Sequence, residues 1–376
     1  MRIEKISNPI PGLYEIFIDQ ALGQKTHDHY VRFFPQFVHT IYGDLVSKYL
    51  VQHDLTLDPN QRTVMEVLLS ADTDTRFEIS ARYLKNLPIA QRRKLCGTHK
   101  LLITDLFENG AELGELLSMS SSMKFRDAVF LDSGGNKNIL DYQSNCYPVP
   151  DNVVVAQIPM FLYYTVSRYT HKGLTQRKND LSKNLLVPCM KPHEHRILLL
   201  SILENANLLD DSDWSLGYDP DNKNPQSYNV MYNDDRVNSF IASHKQQLPR
   251  FLSQQDYTAA PDLITEVVSA NHRWHIVAET FSDRVDLTEK IFQAFMCMNA
   301  PLILAGGGFI STLRELGFKL TLEYENPNTE QQINNIVHII TTQQPDLTEA
   351  RFNQQHCCDL EHWSRYFVQT LAGACK

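Results

Sequence analysis

Residues 274–318 read WHIVAETFSDRVDLTEKIFQAFMCMNAPLILAGGGFISTLRELGF, and this stretch decides the fold. His275-Ile276-Val277-Ala278 is a short apolar run that ends at an acid, Glu279. A polar loop follows. Thr288-Glu289-Lys290 then opens a helix reaching Asn299, with Ile291, Ala294, Phe295 and Met298 on one face. Pro301 to Ala305 is a second apolar run and Gly306-Gly307-Gly308 its turn. Ile310 to Leu316 is the next helix, Gly317 its C-cap, and Phe318-Lys319-Leu320 the next strand. Short, continuously apolar strands alternating with amphipathic helices mark a parallel sheet covered on both faces.

The same texture extends towards the N-terminus. Leu185-Leu186-Val187 is a strand, and Pro192 opens a helix running to about Asn205, where a missing N–H costs nothing. Gly217 to Asn238 is rich in Asp, Asn, Pro and Tyr and reads as a long loop. Residues 168–184 are polar and basic and form a linker. Before it, Leu101 to Asp105, Ala128 to Asp132 and Val153 to Ala156 are three further strands. The first ninety residues read as helical, with Val31, Phe34, Phe37, Val38, Ile41 and Leu45 at helical spacing. Ile333, Ile336, Val337 and Ile340, and later Trp363 and Phe367, belong to a final helix pair. The chain therefore divides into an α/β domain with a helical N-terminal region over 1–175 and a second α/β domain over 185–376. Its last helix is free to cross back to the first domain. The fold class is α/β, two Rossmann-like domains in tandem, and ligands are expected at strand carboxyl ends and between domains.

Composition narrows the function classes. The chain has 376 residues, 43% of them hydrophobic and 21% charged, which is enough for two cored domains and excludes global disorder. A formal charge of −9 lowers the expectation of nonspecific duplex binding, which favours a basic balance. Seven cysteines without zinc spacing, two of them adjacent at Cys357-Cys358, read as reduced thiols in a cytoplasmic compartment. Residues 1–20 are not expected to act as a signal peptide, and no apolar run approaches the ~20 residues of a membrane span.

The chemistry concentrates in residues 274–318. A carboxylate at a strand end, such as Glu279, can accept both hydroxyls of a ribose. A lysine in a first helical turn, such as Lys290, sits beside free N–H groups and the positive end of the helix dipole, where a diphosphate is neutralised. Glycines such as Gly307 let backbone approach phosphate or sugar. Singly, each element is also an ordinary helix start or turn. These three, in order with the strand Pro301 to Ala305 between the helix and the turn, favour a functional site of the nucleotide-sugar kind.

Glu279, the Thr288-Glu289-Lys290 triplet, Pro301 to Ala305 and Leu313-Arg314-Glu315-Leu316-Gly317-Phe318 resemble the donor-domain signature of a glycosyltransferase group. That group has the two-Rossmann GT-B architecture and includes fucosyltransferase-like enzymes and related bacterial and viral proteins. The resemblance is strong over about fifty residues. It implies that Glu279 holds the ribose and that Lys290 holds the diphosphate. Lys191-Pro192-His193-Glu194-His195-Arg196, with Trp214 to Gly217, is similar to the opening of the same domain. There Lys191, His195 and Arg196 face the donor phosphates. Asp105 with Glu108-Asn109-Gly110 is similar to an acid-plus-Glu-Gly element of the first domain.

Glycosyl transfer also needs a base for the acceptor hydroxyl. Glu108 and Asp132, each just past a strand end, are the candidates, with Asp105 beside them; each is equally readable as a surface acid or N-cap. The Asp-x-Asp pairs Asp72/Asp74, Asp211/Asp213 and Asp219/Asp221 are read as incidental. No metal and no bound cofactor are expected, the nucleotide-sugar being a co-substrate. His193 and His195, two apart on a helix, are expected to point to different faces. Gly-x-Ser-x-Gly, Gly-x-Gly-x-x-Gly and Gly-x-x-x-x-Gly-Lys frames are absent. The expected partners are a nucleotide-sugar donor and a glycan or other hydroxyl acceptor. Two alternatives remain on the same scaffold: transfer to a modified base in nucleic acid, kept open by the basic stretches Arg92-Arg93-Lys94 and His171 to Lys183, and a non-catalytic nucleotide- or glycan-binding module. Substituting Glu279 or Lys290 is expected to weaken nucleotide binding and leave the unliganded fold's stability unchanged.

Overall fold

The structure, a computed structural model, describes residues 30–33, 76–80, 84, 88–104, 124–132, 151–159, 161–162, 165, 183–221, 232–252, 272–280, 282, 285, 287–321 and 328–374. The chain divides into two compact units, Met1–Ser167 with Leu360–Lys376, and Arg168–Asp359.

The first unit is built on one parallel sheet. Its strands are β1 (Tyr30–Phe33), β2 (Arg76–Ser80), β3 (Lys100–Thr104), β4 (Asp127–Asp132) and β5 (Val153–Gln157), hydrogen-bonded in that order. Helix α1 (Ile89–Thr98) leads into β3 and buries Leu95 and Cys96. Leu101, Leu102, Ile103 and Val129 to Leu131 are buried, as expected of central parallel strands whose faces are both covered.

Two expectations are corrected here. The helical reading of the first ninety residues fails at β1 and β2, which pair in register from Tyr30 with Arg76 to Phe33 with Ile79. A four-residue Tyr-Val-Arg-Phe strand is too short to show period-two alternation, so a chance helical spacing dominated it. The second domain, read to residue 376, ends at Asp359. Helix α8 (Leu360–Ala374) packs on β5 and buries Trp363 and Phe367, so its apolar face belongs to the first unit.

The second unit carries a four-stranded parallel sheet. Its strands are β6 (Lys183–Cys189), β7 (Asp213–Leu216), β8 (His272–Ala278) and β9 (Ala300–Leu304), in the order β7-β6-β8-β9. Lys183 and Asn184 therefore belong to β6 and not to the linker; Lys183 pairs in register with His272 and bonds Asp213. Helix α2 (Glu194–Asn205) follows β6, α3 (Asp235–His244) follows β7, and α4 (Glu289–Met296) follows β8. Helices α5 (Phe309–Glu315), α6 (Thr329–Thr342) and α7 (Leu347–Cys357) follow β9. Helix α3 starts inside the expected loop because Asp234 caps it, its carboxylate accepting from the Arg236 N–H at 2.8 Å.

Helix α5 ends as the sequence predicts. Gly317 has φ +91°, its N–H donates to Arg314 O at 2.9 Å, and the Phe318 N–H donates to Leu313 O at 3.0 Å, a Schellman closure. Residues 318–320, however, form no strand. Asn353 on α7 accepts from the Lys319 N–H at 2.8 Å and donates to Lys319 O at 2.7 Å. A side-chain amide thus occupies the backbone groups that a neighbouring strand would need. Phe318 stacks on Phe295 with ring centroids 4.6 Å apart, which ties this segment to α4.

Candidate functional site

The order β7-β6-β8-β9 sets where a ligand can enter. From β6 the chain goes to β7 on one side, then crosses to β8 on the other. The carboxyl ends of β6 and β8 therefore flank a topological switch point, where open α/β sheets leave a crevice. The register between them runs from Lys183 with His272 to Leu186 with His275, short of the last three residues of each strand. Pro188, which has no N–H to donate, lies in this final stretch of β6.

Arg196 spans the gap. It is only 2% exposed, and its guanidinium donates to Ala278 O at 2.8 Å and to Lys191 O at 3.2 Å. Charge-assisted bonds of this kind contribute about 1.5–3 kcal/mol each. A planar fork reaching two backbone carbonyls suits arginine and not lysine. His195 extends the same clasp: its ring Nε2 lies 2.9 Å from Glu279 O. A carbonyl only accepts, so Nε2 carries the proton. Burial, reinforced by the Arg196 charge, lowers the His195 pKa to about 4, and the ring is neutral near pH 7. His193 is the N-cap and not a helical residue, which removes the basis for placing the two rings on different faces. They stack, with centroids 5.7 Å apart and 11° between planes.

Glu279 closes β8. Its N–H donates to Leu304 O at 2.9 Å, continuing the pairing with β9, and its side chain is 0% exposed. Thr288 caps α4 and is the hub around it. The Thr288 hydroxyl donates to Glu279 Oε2 at 2.7 Å while accepting from Lys290 Nζ at 2.9 Å and from the Lys290 N–H at 3.4 Å. Lys290 Nζ also lies 3.3 Å from Glu279 Oε2 and 3.7 Å from Glu289 Oε1. Glu279 Oε1 has no hydrogen-bond partner among the described residues. Burial pushes the Glu279 pKa up, and the Lys290 charge and the Thr288 bond pull it back. A fully buried carboxylate with one unpaired oxygen is costly to keep, and such groups concentrate at functional sites.

Lys290 and Glu279 thus touch each other. Lys290 is part of what makes the buried carboxylate tolerable, so this contact argues that its loss destabilises the unliganded fold, against the expectation from sequence.

Neighbouring residues fix the backbone around the switch point. The Lys191 carbonyl accepts from Arg196 and, at 2.9 Å, from the His193 N–H. Gly217 donates to Met190 O at 3.0 Å, and a Cβ there would stand 2.2 Å from that oxygen. Only glycine lets β7's end pass so close to the residue before Lys191. Among the described residues nothing lies within 4 Å of where a Cβ on Gly307 would stand. Cys189 is fully buried, which pushes its thiol up to about 11 and keeps it protonated.

Asp132 is the last residue of β4; Asp105 and Glu108 lie outside the described residues, as do Asp72 and Asp74. Asp213 bonds Lys183 and, at 3.0 Å, His272, and Asp219 accepts from the Asp221 N–H at 3.0 Å. Among the described residues no three His, Cys, Asp or Glu side chains cluster as metal ligands. Nor is any helix among them long and apolar enough to cross a membrane. Sequence reasoning missed the roles of Arg196 and His195, whose backbone acceptors are 82 and 84 residues distant.

No protein-family model and no curated protein matches the sequence. Among solved structures, the chain is similar to the DNA-modifying enzyme β-glucosyltransferase, determined with and without uridine diphosphoglucose. The two are 10% identical over 82% of this chain and 80% of that one, with a TM-score of 0.38. At that level of likeness the site stands on its own residues.

Proposed function

We propose that the protein is a glycosyltransferase that moves a sugar from a nucleotide-sugar to a hydroxyl acceptor without an obligatory metal. The observation that carries this reading is Glu279, a fully buried carboxylate at the switch point with one oxygen that has no partner among the described residues. Vicinal ribose hydroxyls are donors of the right kind and number for it. Lys290, in the first turn of α4, and the N-termini of α2 and α4 supply the positive field that a departing diphosphate needs. Because leaving-group charge grows in the transition state, Lys290 matters more for turnover than Glu279. His195, being neutral, contributes hydrogen bonding and not charge. Arg196 acts by holding the β8 carbonyl that precedes Glu279. Lys191 and Gly307 adjoin the donor in this reading, and Glu108, Asp132 or Asp105 supplies the base for the acceptor.

The test is release of nucleoside diphosphate from UDP- and GDP-sugars, or of nucleoside monophosphate from CMP-sugars, in EDTA, with and without hydroxyl acceptors. Turnover in EDTA is expected, with Lys290→Ala lowering it at least about tenfold. Turnover that needs manganese contradicts the metal-independent reading. Transfer only onto a hydroxyl-bearing base in DNA would assign the acceptor to nucleic acid. Donor binding without any turnover would mark a binding module.

A further inference from the structure

The contacts around Lys290 set a condition on what can bind there. Its ammonium lies 2.9 Å from the Thr288 hydroxyl and 3.3 Å from Glu279 Oε2, with Glu289, itself 8% exposed, at 3.7 Å. Two carboxylates therefore compete with any incoming anion for one lysine. The arginine nearby is already committed to the carbonyls of Ala278 and Lys191. A ligand that brings phosphate alone draws Lys290 away and leaves Glu279, 0% exposed, without its cation. Removing one partner of a buried ion pair is strongly unfavourable, because the remaining charge has no water to turn to. A ligand that brings a ribose with the phosphates offers hydroxyl donors to both Glu279 oxygens as the lysine leaves, including Oε1, which has no partner among the described residues.

We propose that the Glu279–Thr288–Lys290 cluster is a filter that admits nucleoside diphosphates and refuses bare pyrophosphate and inorganic phosphate. This rests on the nucleotide reading above and adds to it a reason for selectivity. Glu279 serves the nucleotide and opposes the free anion, so its removal moves the two affinities in opposite directions. A residue that merely supported the fold would weaken both, and one that merely bound ribose would leave pyrophosphate unchanged.

The experiment is isothermal titration of wild type and Glu279→Gln with pyrophosphate, uridine diphosphate and guanosine diphosphate, all in EDTA. In the variant, pyrophosphate is expected to tighten about tenfold, and whichever nucleoside diphosphate the wild type binds to weaken about tenfold. Thr288→Ala, which frees Lys290 from its nearer contact while keeping the carboxylate, should tighten pyrophosphate by a smaller factor, about threefold. Melting temperatures of both variants show that each is folded under the conditions of titration. A wild type that binds neither nucleoside diphosphate fails the nucleotide reading. A wild type that binds one, while Glu279→Gln and Thr288→Ala bind pyrophosphate no more tightly than it does, overturns the filter alone.

Discussion

Replacing Lys290 by methionine removes the cation that, among the described residues, forms an ion pair with the buried Glu279 carboxylate, and keeps most of the side-chain volume. At 3.3 Å and an effective dielectric of about 20, the pair interaction is on the order of 5 kcal/mol. The expected loss is smaller, because Glu279 can take up a proton at about 1.4 kcal/mol per pH unit. Burial already raises the Glu279 pKa in the folded protein, and Lys290 lowers it. A raised folded-state value means stability that is complete below the ordinary carboxylate range and is lost as pH climbs through the folded pKa. In Lys290→Met that pKa rises further, so the loss continues to higher pH. The gap to wild type should be within about 1 kcal/mol at pH 5 and reach about 2–4 kcal/mol at pH 8. For a domain of this size that corresponds to a fall of about 5–10 °C in Tm at pH 8. Circular dichroism melts at pH 5, 6.5 and 8 measure it. The double variant Glu279→Gln/Lys290→Met, which has no buried carboxylate at this position, should lose the part of the pH dependence that Glu279 supplies. A gap of equal size at pH 5 and pH 8, or no gap at all, refutes the pairing.

Gly217→Ala places a Cβ 2.2 Å from Met190 O, a backbone atom, so it should cost about 2–4 kcal/mol and displace the Lys191 loop. A melting temperature equal to wild type contradicts that. Asn353→Leu leaves both backbone groups of Lys319 without their side-chain partners and should cost about 1–3 kcal/mol, read by chemical denaturation. Nitrogen-15 spectra should show His195 as the neutral Nε2–H tautomer from pH 6 to 8, with protonation near pH 4. Because its folded pKa lies below the ordinary value, its contribution to stability is present above about pH 6.5 and is lost as pH falls towards 4. A titration near pH 6.5 contradicts the clasp on Glu279.

What the sequence makes legible is whatever is local in it. Glu279 ending a strand and Thr288 capping the helix that carries Lys290 lie within a stretch of chain whose two ends are eleven positions apart, with its own boundary signals, and the structure has them as read. The Schellman closure at Gly317 is equally local. Long-range partnerships are not legible. Lys191 to Arg196 reads as a basic helix start facing phosphate, yet Arg196 reaches across to β8, because strand order and a proline in β6 together leave its carbonyls to be filled. Strand β1 carries too few residues for its period to show, and it forms because β2 lies beside it. Phe318 to Leu320 has the composition of a strand but meets Asn353 on a helix instead of a strand edge. Composition gives apolarity and spacing; it does not give the neighbour.

The central claim, that the crevice at Glu279 holds a nucleotide-sugar, is tested most directly by a thermal-stabilisation screen of the purified protein. UDP, GDP, CMP and their sugars are presented in EDTA to wild type and to Glu279→Gln. At least one nucleoside diphosphate or its sugar should raise the wild-type Tm by several degrees at a hundredfold excess over its Kd, equivalent to about 2.7 kcal/mol. The same ligand should raise that of Glu279→Gln far less. A wild-type protein that none of these ligands stabilises, or a variant stabilised as strongly as wild type, contradicts the account.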